Sequence, residues 1–173
     1  MKTKQSLVCG LLAVLFILTF GVYSAVAQEQ ELRVTGGGFT FTAINGGTAY
    51  SISGGASREG TVNIPAYRRP NAESDYLPIT EIGRNAFNGG RNIIKINIPS
   101  TVTSIDSMAF AACLNISSIT IPASVTYVSE WAFYMWTNAQ TIYVEGHANR
   151  ESTIAAGWGE GWSGGAKVVY LGK

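Results

Sequence analysis

The side chains that could carry out chemistry are few in this sequence, and they are widely spaced. His147 is the one histidine, so a Ser-His-Asp or Cys-His arrangement would have to include it, and no nucleophile motif stands beside it. His147 and Cys113 are fewer than the three or four ligands that a zinc site needs. Gly36-Gly37-Gly38 and Gly89-Gly90 lack the Lys-Ser/Thr pair of a phosphate loop. Glu160 has no second carboxylate beside it, as an acid pair for glycoside hydrolysis would require. We therefore predict no catalytic residues, no metal and no cofactor, and we consider an enzyme the least supported function.

The N-terminal residues have the pattern of a secretory signal peptide. Lys2 and Lys4 precede a nearly unbroken apolar run from Leu7 to Val22, and Ala25-Val26-Ala27 then fits the small-x-small cleavage pattern. A transmembrane anchor is the alternative, because such a run approaches the roughly 17 residues that span a bilayer. We expect cleavage after Ala27, a secreted or cell-surface protein, and no membrane segment once the signal has been removed.

The net charge limits the possible partners, and the cysteine count limits disulfide bonding. The formal net charge is +1, and loss of Lys2 and Lys4 would leave the chain nearly neutral. Without a basic cluster, nucleic acid and anionic membranes are poor partners. Cys113 would be the single remaining cysteine, so stability must come from packing rather than from an internal disulfide. We expect Cys113 to be a small buried side chain; a reactive or intermolecular thiol is the alternative.

Three segments of the chain repeat one pattern with a period of 23 residues. Each contains an Ala-Phe pair, then an Asn, then an Ile-x-Ile/Val segment. The repeated residues are Phe87, Phe110 and Phe133, then Asn92, Asn115 and Asn138, then Ile96, Ile119 and Ile142, and last Ile98, Ile121 and Val144. A unit this short cannot bury its own apolar face, so neighbouring units must stack. The pattern predicts a solenoid with the three phenylalanines in one continuous row.

The local pattern of each unit predicts its backbone. The Ile-x-Ile segment alternates with period 2, which indicates a short strand with its isoleucines pointing inward. The Val-x-x-Ile segment predicts a second short extended piece, and the Ala-Phe pair predicts a tight helical turn. The repeated asparagines are expected to bond backbone groups at the turn before the strand. A glycosylation sequon at Asn115-Ile116-Ser117 is the alternative for one of them.

The chain divides into four zones: a signal peptide at 1–27, an N-terminal β cap at 28–60, repeats at 61–145 and a C-terminal cap at 146–173. Asn45-Gly46-Gly47-Thr48 suits a hairpin turn within the N-terminal cap. Val62-Asn63-Ile64-Pro65 belongs to an earlier unit, which carries an insertion between Ala66 and Leu77.

The C-terminal cap has its own expected elements. Asn149 to Ala156 has helical character, with Gly157 as a C-cap. A strand should follow at Lys167–Leu171. Trp158 and Trp162 are expected to cover the open core of the last repeat.

The repeat resembles the BspA-like leucine-rich repeat family, also called the treponemal type, whose unit reads L-x-x-I-x-I-P-x-x-V-x-x-I-G-x-x-A-F-x-x-C. The best match joins Ile116–Pro122 to Val125–Val128 and Ala132-Phe133, and Cys113 occupies the family's Cys position. The family's Gly is Gly83 in the first full unit, but Asp106 and Ser129 stand there in the later units. Glu145 replaces the last Pro, which suggests that the array ends there.

This resemblance, which covers about Val62 to Glu145, implies an α/β-type leucine-rich-repeat solenoid of mostly short strands with short helical turns. It also implies a secreted or surface-exposed protein that adheres to a host matrix protein, a cell-surface protein or other cells. It supplies no catalytic residues. A structural, self-associating surface component and a carbohydrate-binding module that uses Tyr143 or the tryptophans are the alternatives.

Three surfaces are candidates for binding. The outward residues of the predicted strands form a polar ladder, for which a plain solvated sheet face is the alternative: Lys95, Asn97, Ser118, Thr120, Thr141 and Tyr143. A second candidate is the aromatic patch of Trp131, Tyr134, Met135 and Trp136, for which packing against the C-terminal cap is the alternative. The third is the polar insertion at Arg68–Asp75.

Overall fold

The computed structural model describes residues 33–36 and 38–172. The predicted signal peptide and its cleavage site after Ala27 lie outside the described residues. The strands are β1 (Arg33–Gly36), β2 (Phe39–Ile44), β3 (Ala49–Ser53), β4 (Gly60–Asn63), β5 (Tyr67–Arg68), β6 (Leu77–Ile82), β7 (Ile93–Asn97), β8 (Ser104–Ile105), β9 (Ser118–Ile121), β10 (Tyr127–Val128), β11 (Thr141–Val144) and β12 (Lys167–Tyr170). The described chain also contains the helix α1 (Arg150–Ala155) and two 3-10 turns, at Asn45–Gly47 and Gly55–Ser57.

The chain winds between two series of parallel strands, as a solenoid requires. On one side β3, β6, β8 and β10 pair in that order, and the antiparallel strands β1 and β2 precede them. On the other side β4 pairs with β7, and β9, β11 and β12 form a separate sheet. We number the coils by residues: coil 1 is 49–63, coil 2 is 77–98, coil 3 is 102–121, coil 4 is 125–144 and coil 5 is 158–170.

The Ala-Phe segments form a third side, where backbone hydrogen bonds join successive coils. The N–H of Phe87 donates to the carbonyl of Ala109 at 2.7 Å, and that of Phe110 donates to Ala132 at 2.8 Å. The predicted turns are present, but they are not helical. Two positions of each turn have a left-handed backbone, with φ of 58°, 56° and 58° at Asn85, Met108 and Trp131, and of 74°, 53° and 67° at Gly89, Ala112 and Met135. Because an α-helix needs negative φ at every residue, these alternations keep the segment in a compact turn.

The three repeated phenylalanines lie in a single row, as the sequence predicts. The ring centroids of Phe87 and Phe110 are 5.4 Å apart with an interplanar angle of 7°. Those of Phe110 and Phe133 are 5.0 Å apart at 22°. Edge-on aromatic rings close both ends of the row, Phe39 against Phe87 and Trp162 against Phe133. The central prediction of stacked coils in register is therefore confirmed.

The isoleucine positions also follow the predicted alternation. In the register of β9 and β11, Ile119 is opposite Ile142 and Ile121 is opposite Val144, and all four side chains are buried. Ile96 in β7 is buried, whereas Ile98, which follows the end of β7, is only partly buried against the core. The intervening residues point outward, so each strand has one apolar face and one solvent face.

The N-terminal part adds an antiparallel hairpin to the first coil. β2 and β3 pair through the Asn45–Thr48 turn that the sequence predicts. The insertion contributes β5, which pairs antiparallel with the beginning of β6. Two arginines stack on the hairpin: the guanidinium carbon of Arg58 lies 3.7 Å from the ring centroid of Phe39, and that of Arg68 lies 4.1 Å from the ring centroid of Phe41. These arginines cover the aromatic rings at this end of the solenoid.

The C-terminal residues continue the coils beyond Glu145, although the sequence repeat stops there. β12 pairs with β11 in parallel, with Ile142 opposite Val168. The N–H of Gly159 donates to the carbonyl of Val128, as the N–H of Ser129 donates to Ile105 one coil earlier. Residues 146–157, which include α1 with its Asn149 cap, replace the usual short connection. Trp158 and Trp162 are buried against the core of coil 4, as predicted.

Buried polar contacts fasten one coil to the next. Cys113 is fully buried and its Sγ–H donates to the carbonyl of Phe87, so its predicted place in the core is confirmed. At the equivalent position of coil 4, the indole N–H of Trp136 donates to the carbonyl of Phe110 at 2.8 Å. Buried Gln140 donates to two carbonyls of coil 3. Asn115 donates to a backbone carbonyl of the preceding coil, as expected for the repeated asparagines, whereas Asn92 donates to a side chain.

Candidate binding surfaces

The six outward residues proposed from the sequence lie on one face, which we call the strand face. Pairing of β9 with β11 places Ser118 beside Thr141 and Thr120 beside Tyr143. Lys95 and Asn97 hold the corresponding positions on β7, where they pair with Thr61 and Asn63 of β4. The residues of coils 2 and 3 are exposed and the two of coil 4 are partly exposed. The strand face therefore presents two columns of mostly neutral polar side chains.

A shallow depression of about 350 Å³ lies on the strand face where its sheet divides. β7 and β9 are neighbours there, yet no ladder joins them, so the surface opens between coils 2 and 3. The polar residues that line the depression are Lys95, Asn97, Ser118, Thr120, Tyr143 and Glu145. Five of these six belong to the set chosen from the sequence. Sequence reasoning missed Glu145, whose signal was its replacement of the repeat's proline.

Within the described part of the chain, most side chains of the strand face form no hydrogen bond with the protein. The side-chain amide of Asn97 donates to the side-chain oxygen of Asn63 at 2.6 Å, which holds both amides in place. The exposed hydroxyls of Ser118 and Thr120 are each able to donate and to accept. Lys95 and Glu145 add one positive and one negative charge to the lining. The surface can therefore form many hydrogen bonds without favouring a ligand of one charge.

The aromatic patch is only partly a surface. Trp131, Tyr134 and Met135 are about half exposed. Trp136 is buried, and its ring packs edge-on against Phe133 with centroids 5.0 Å apart. Trp136 must therefore be removed from the proposed patch, because it occupies the core position that Cys113 and Gly90 hold in the earlier coils.

The insertion at residues 68–75 forms a short exposed loop. Arg69 donates to the carbonyl of Ala72, and its guanidinium carbon lies 5.0 Å from the ring centroid of Tyr76. The side-chain oxygen of Asn71 accepts from the N–H of Glu73 and the hydroxyl of Ser74. These local contacts account for the loop's polar composition as turn chemistry.

Two of the side chains considered for chemistry, those of His147 and Cys113, pack against other parts of the fold. His147 packs edge-on against Trp158 with ring centroids 5.0 Å apart. Burial raises the pKa of the Cys113 thiol to about 11, so it is not a thiolate at neutral pH. Within residues 33–36 and 38–172, no three His, Cys, Asp or Glu side chains cluster as metal ligands would. The same residues include no helix with the length and apolar character needed to traverse a bilayer.

Comparison with solved structures identifies the architecture. A leucine-rich repeat protein from Bacteroides capillosus matches 79% of this chain and 98% of its own, with 20% identity and a TM-score of 0.55. A leucine rich cell surface protein from Faecalibacterium prausnitzii matches 66% of this chain, with 23% identity and a TM-score of 0.54. A leucine-rich repeat protein from Bacteroides ovatus matches 81% of this chain, with 19% identity and a TM-score of 0.51. The chain spans 32% and 37% of the length of the last two proteins.

Sequence comparison gives the family. No curated protein matches the chain in sequence. Residues 67–154 match the BspA type leucine rich repeat region, in 6 copies. This match covers the coils whose phenylalanines stack in one row, so the sequence pattern and the three-dimensional repeat coincide. The protein belongs to the family of BspA-type leucine-rich repeat proteins.

Proposed function

We propose that this protein is a secreted or cell-surface adhesion module whose strand face binds a protein, for example a host matrix or cell-surface protein. The observation that carries the proposal is the strand face itself, where polar side chains of successive coils align around a shallow depression. Leucine-rich repeat solenoids are generally binding modules without catalysis, and repeat stacking creates extended surfaces of this kind. Binding would depend on complementary shape and hydrogen bonds, with no covalent step.

The composition of the strand face favours a protein partner over a single ion or an apolar ligand. Its hydroxyl and amide groups both donate and accept, as the main chain of a partner also does. Tyr143 is partly exposed at the depression and can contribute the rigid aromatic contact that is common at interaction hot spots. Lys95 and Glu145 would fix orientation more than they would add affinity.

Site-specific photocrosslinking tests the proposal directly. A photoreactive amino acid at Thr120 should crosslink to a protein when the chain is incubated with matrix extracts or intact host cells. The same amino acid at Thr126, which is exposed on the opposite ladder, is the matched control. Crosslinking from Thr126 and not from Thr120 would contradict the proposed face.

Alanine substitution then measures how much the strand face contributes to binding of the crosslinked protein. Replacing Asn97, Thr120 and Tyr143 together should weaken that binding by at least about 10-fold, or roughly 1.4 kcal/mol. A triple variant with the same residue types elsewhere on the surface, Asn88, Thr126 and Tyr127, should bind normally. Both variants should retain the melting temperature, because all six side chains lie outside the core.

The proposed location has its own test. Export of the chain from a bacterial host should give a mature protein whose first residue is Gln28, by N-terminal sequencing. A protein that still begins at Met1 and is found in the membrane fraction would support the transmembrane anchor instead. A concentration-dependent mass in light scattering, with no captured protein, would favour the self-associating surface component.

A further inference from the structure

A second pocket, of about 430 Å³, is lined by residues of the C-terminal part of the chain, none of which belongs to the strand face. We call it the cap pocket. The side chains of Arg150 and Ile154 from α1 form one wall, the glycine-rich turn at 159–164 forms another, and Trp158 and Trp162 also line it. Its volume is within the range of small-molecule sites, about 300–1,000 Å³. Neither the repeat pattern nor the strand face accounts for it.

Trp162 brings to this pocket an indole N–H that has no partner among the described residues. The chain has four tryptophans, of which three are buried. The indole N–H of Trp136 donates to Phe110 and that of Trp158 donates to Thr126, each to a backbone carbonyl. Trp162 is 7% exposed and lines the pocket, yet its N–H forms no hydrogen bond within the described residues. Because buried indoles usually pair their N–H, this donor indicates a ligand position.

Gly161 keeps the surface beside Trp162 open. It has φ of 64°, and the equivalent turn positions of the earlier coils have nearly the same φ with larger residues, for example Asn85 and Trp131. A Cβ added at Gly161 would meet no atom within 4 Å. The left-handed backbone favours glycine here, but larger residues accept the same φ in the earlier coils, and local packing leaves room for a side chain. Gly159 and Gly164 differ, because a Cβ at either would collide with the backbone of coil 4.

The remaining side chains indicate the chemistry of the ligand. Arg150 and Glu160, both exposed, bring one positive and one negative charge to the pocket. A singly charged ligand would meet a like charge, whereas a neutral polyhydroxyl ligand can accept from the guanidinium and donate to the carboxylate. Ile154 is 52% exposed and offers apolar surface to the C–H groups of such a ligand. We propose that the cap pocket binds a neutral saccharide unit, with the Trp162 N–H donating to one of its oxygens.

NMR titration of the full protein tests this proposal, because four indole N–H signals are expected and each can be assigned by substitution. The probes are neutral methyl glycosides and short oligosaccharides of glucose, galactose, mannose and N-acetylglucosamine. At least one probe should shift the Trp162 signal in a saturable manner and leave that of Trp136 unchanged. Unchanged Trp162 signals with all probes at millimolar concentration would overturn the proposal. So would shifts confined to the strand face around Tyr143.

Variants distinguish a loss of ligand contacts in the cap pocket from a loss of general stability. Trp162→Phe keeps an aromatic ring but removes the N–H, and should weaken saccharide binding by at least 10-fold. Glu160→Gln should weaken binding several-fold without changing the melting temperature, because this side chain is exposed. Glu130→Gln, at the equivalent turn position of coil 4, is the matched control and should bind normally. Equal binding by all three variants, or tighter binding of inorganic phosphate than of any glycoside, would refute the assignment.

Discussion

Truncation of the central phenylalanine measures how far the stacked row stabilises the fold. Phe110 is 0% exposed and lies between Phe87 and Phe133, with centroid separations of 5.4 and 5.0 Å. Phe110→Ala removes a whole buried ring from between Phe87 and Phe133, so we expect a loss of about 3–5 kcal/mol in the free energy of unfolding. Phe110→Leu keeps most of the volume and should cost less than about 1.5 kcal/mol.

Double-mutant cycles separate stacking from simple burial. Phe110 contacts Phe133 directly, so their coupling energy should be about 0.5–1.5 kcal/mol. Phe87 and Phe133 are separated by Phe110, so coupling between them should fall within about 0.5 kcal/mol of zero. Equilibrium urea unfolding, followed by circular dichroism and tryptophan fluorescence together, supplies the free energies and tests for two-state behaviour. A loss below 1 kcal/mol for Phe110→Ala, or equal coupling for the two pairs, would refute the reasoning.

Three further predictions concern packing and pH. Cys113 has a pKa of about 11 against 9.0 for a free thiol, so the stability it contributes is complete below pH 9 and is lost as pH rises towards 11, by roughly 2–3 kcal/mol. Urea titrations of residues 28–173 at several pH values measure this loss. Gly55→Ala should destabilise the fold by about 1–3 kcal/mol in calorimetry, because the new Cβ would lie 2.2 Å from a ring carbon of Phe87. Gln140→Leu should cost about 2 kcal/mol or more, since two carbonyls of coil 3 lose their donor; a change below 0.5 kcal/mol would contradict that.

The sequence predicts the parts of the fold that depend on side-chain identity at a fixed period. The row of phenylalanines and the inward isoleucines follow from the 23-residue step, because only stacking can bury them. The same alternation places Asn97 and Thr120 on the solvent side. The depression between β7 and β9 does not follow from it, since the break in the ladder depends on backbone geometry that no repeated residue marks.

Trp136 shows where position in a repeat predicts better than residue type. Trp131, Tyr134 and Trp136 are close in sequence and all aromatic, so the sequence leaves open both an exposed cluster and packing against the C-terminal cap. The turn directs them differently: the first two point to solvent and Trp136 takes the inward position of Cys113. Alignment with the earlier coils already contained this signal. The helical expectation for the turns failed for a related reason, because left-handed residues such as Met108 and Trp131 carry no sequence signature of their own.

Coil 5 shows that the solenoid is propagated by the backbone as well as by the repeated side chains. Its turn has Trp162 where the earlier coils have alanine, yet the N–H of Phe133 donates to the carbonyl of Trp162, as the N–H of Phe110 donates to Ala132. Without coil 5, the strands and the turn of coil 4 would leave backbone N–H and C=O groups unpaired. Any segment that pairs with these groups can therefore extend the stack. The last coil is therefore free of the 23-residue pattern. That freedom brings α1, Gly161 and the indole N–H of Trp162 together at the cap pocket, where the earlier coils have a larger turn residue and an alanine in place of Gly161 and Trp162.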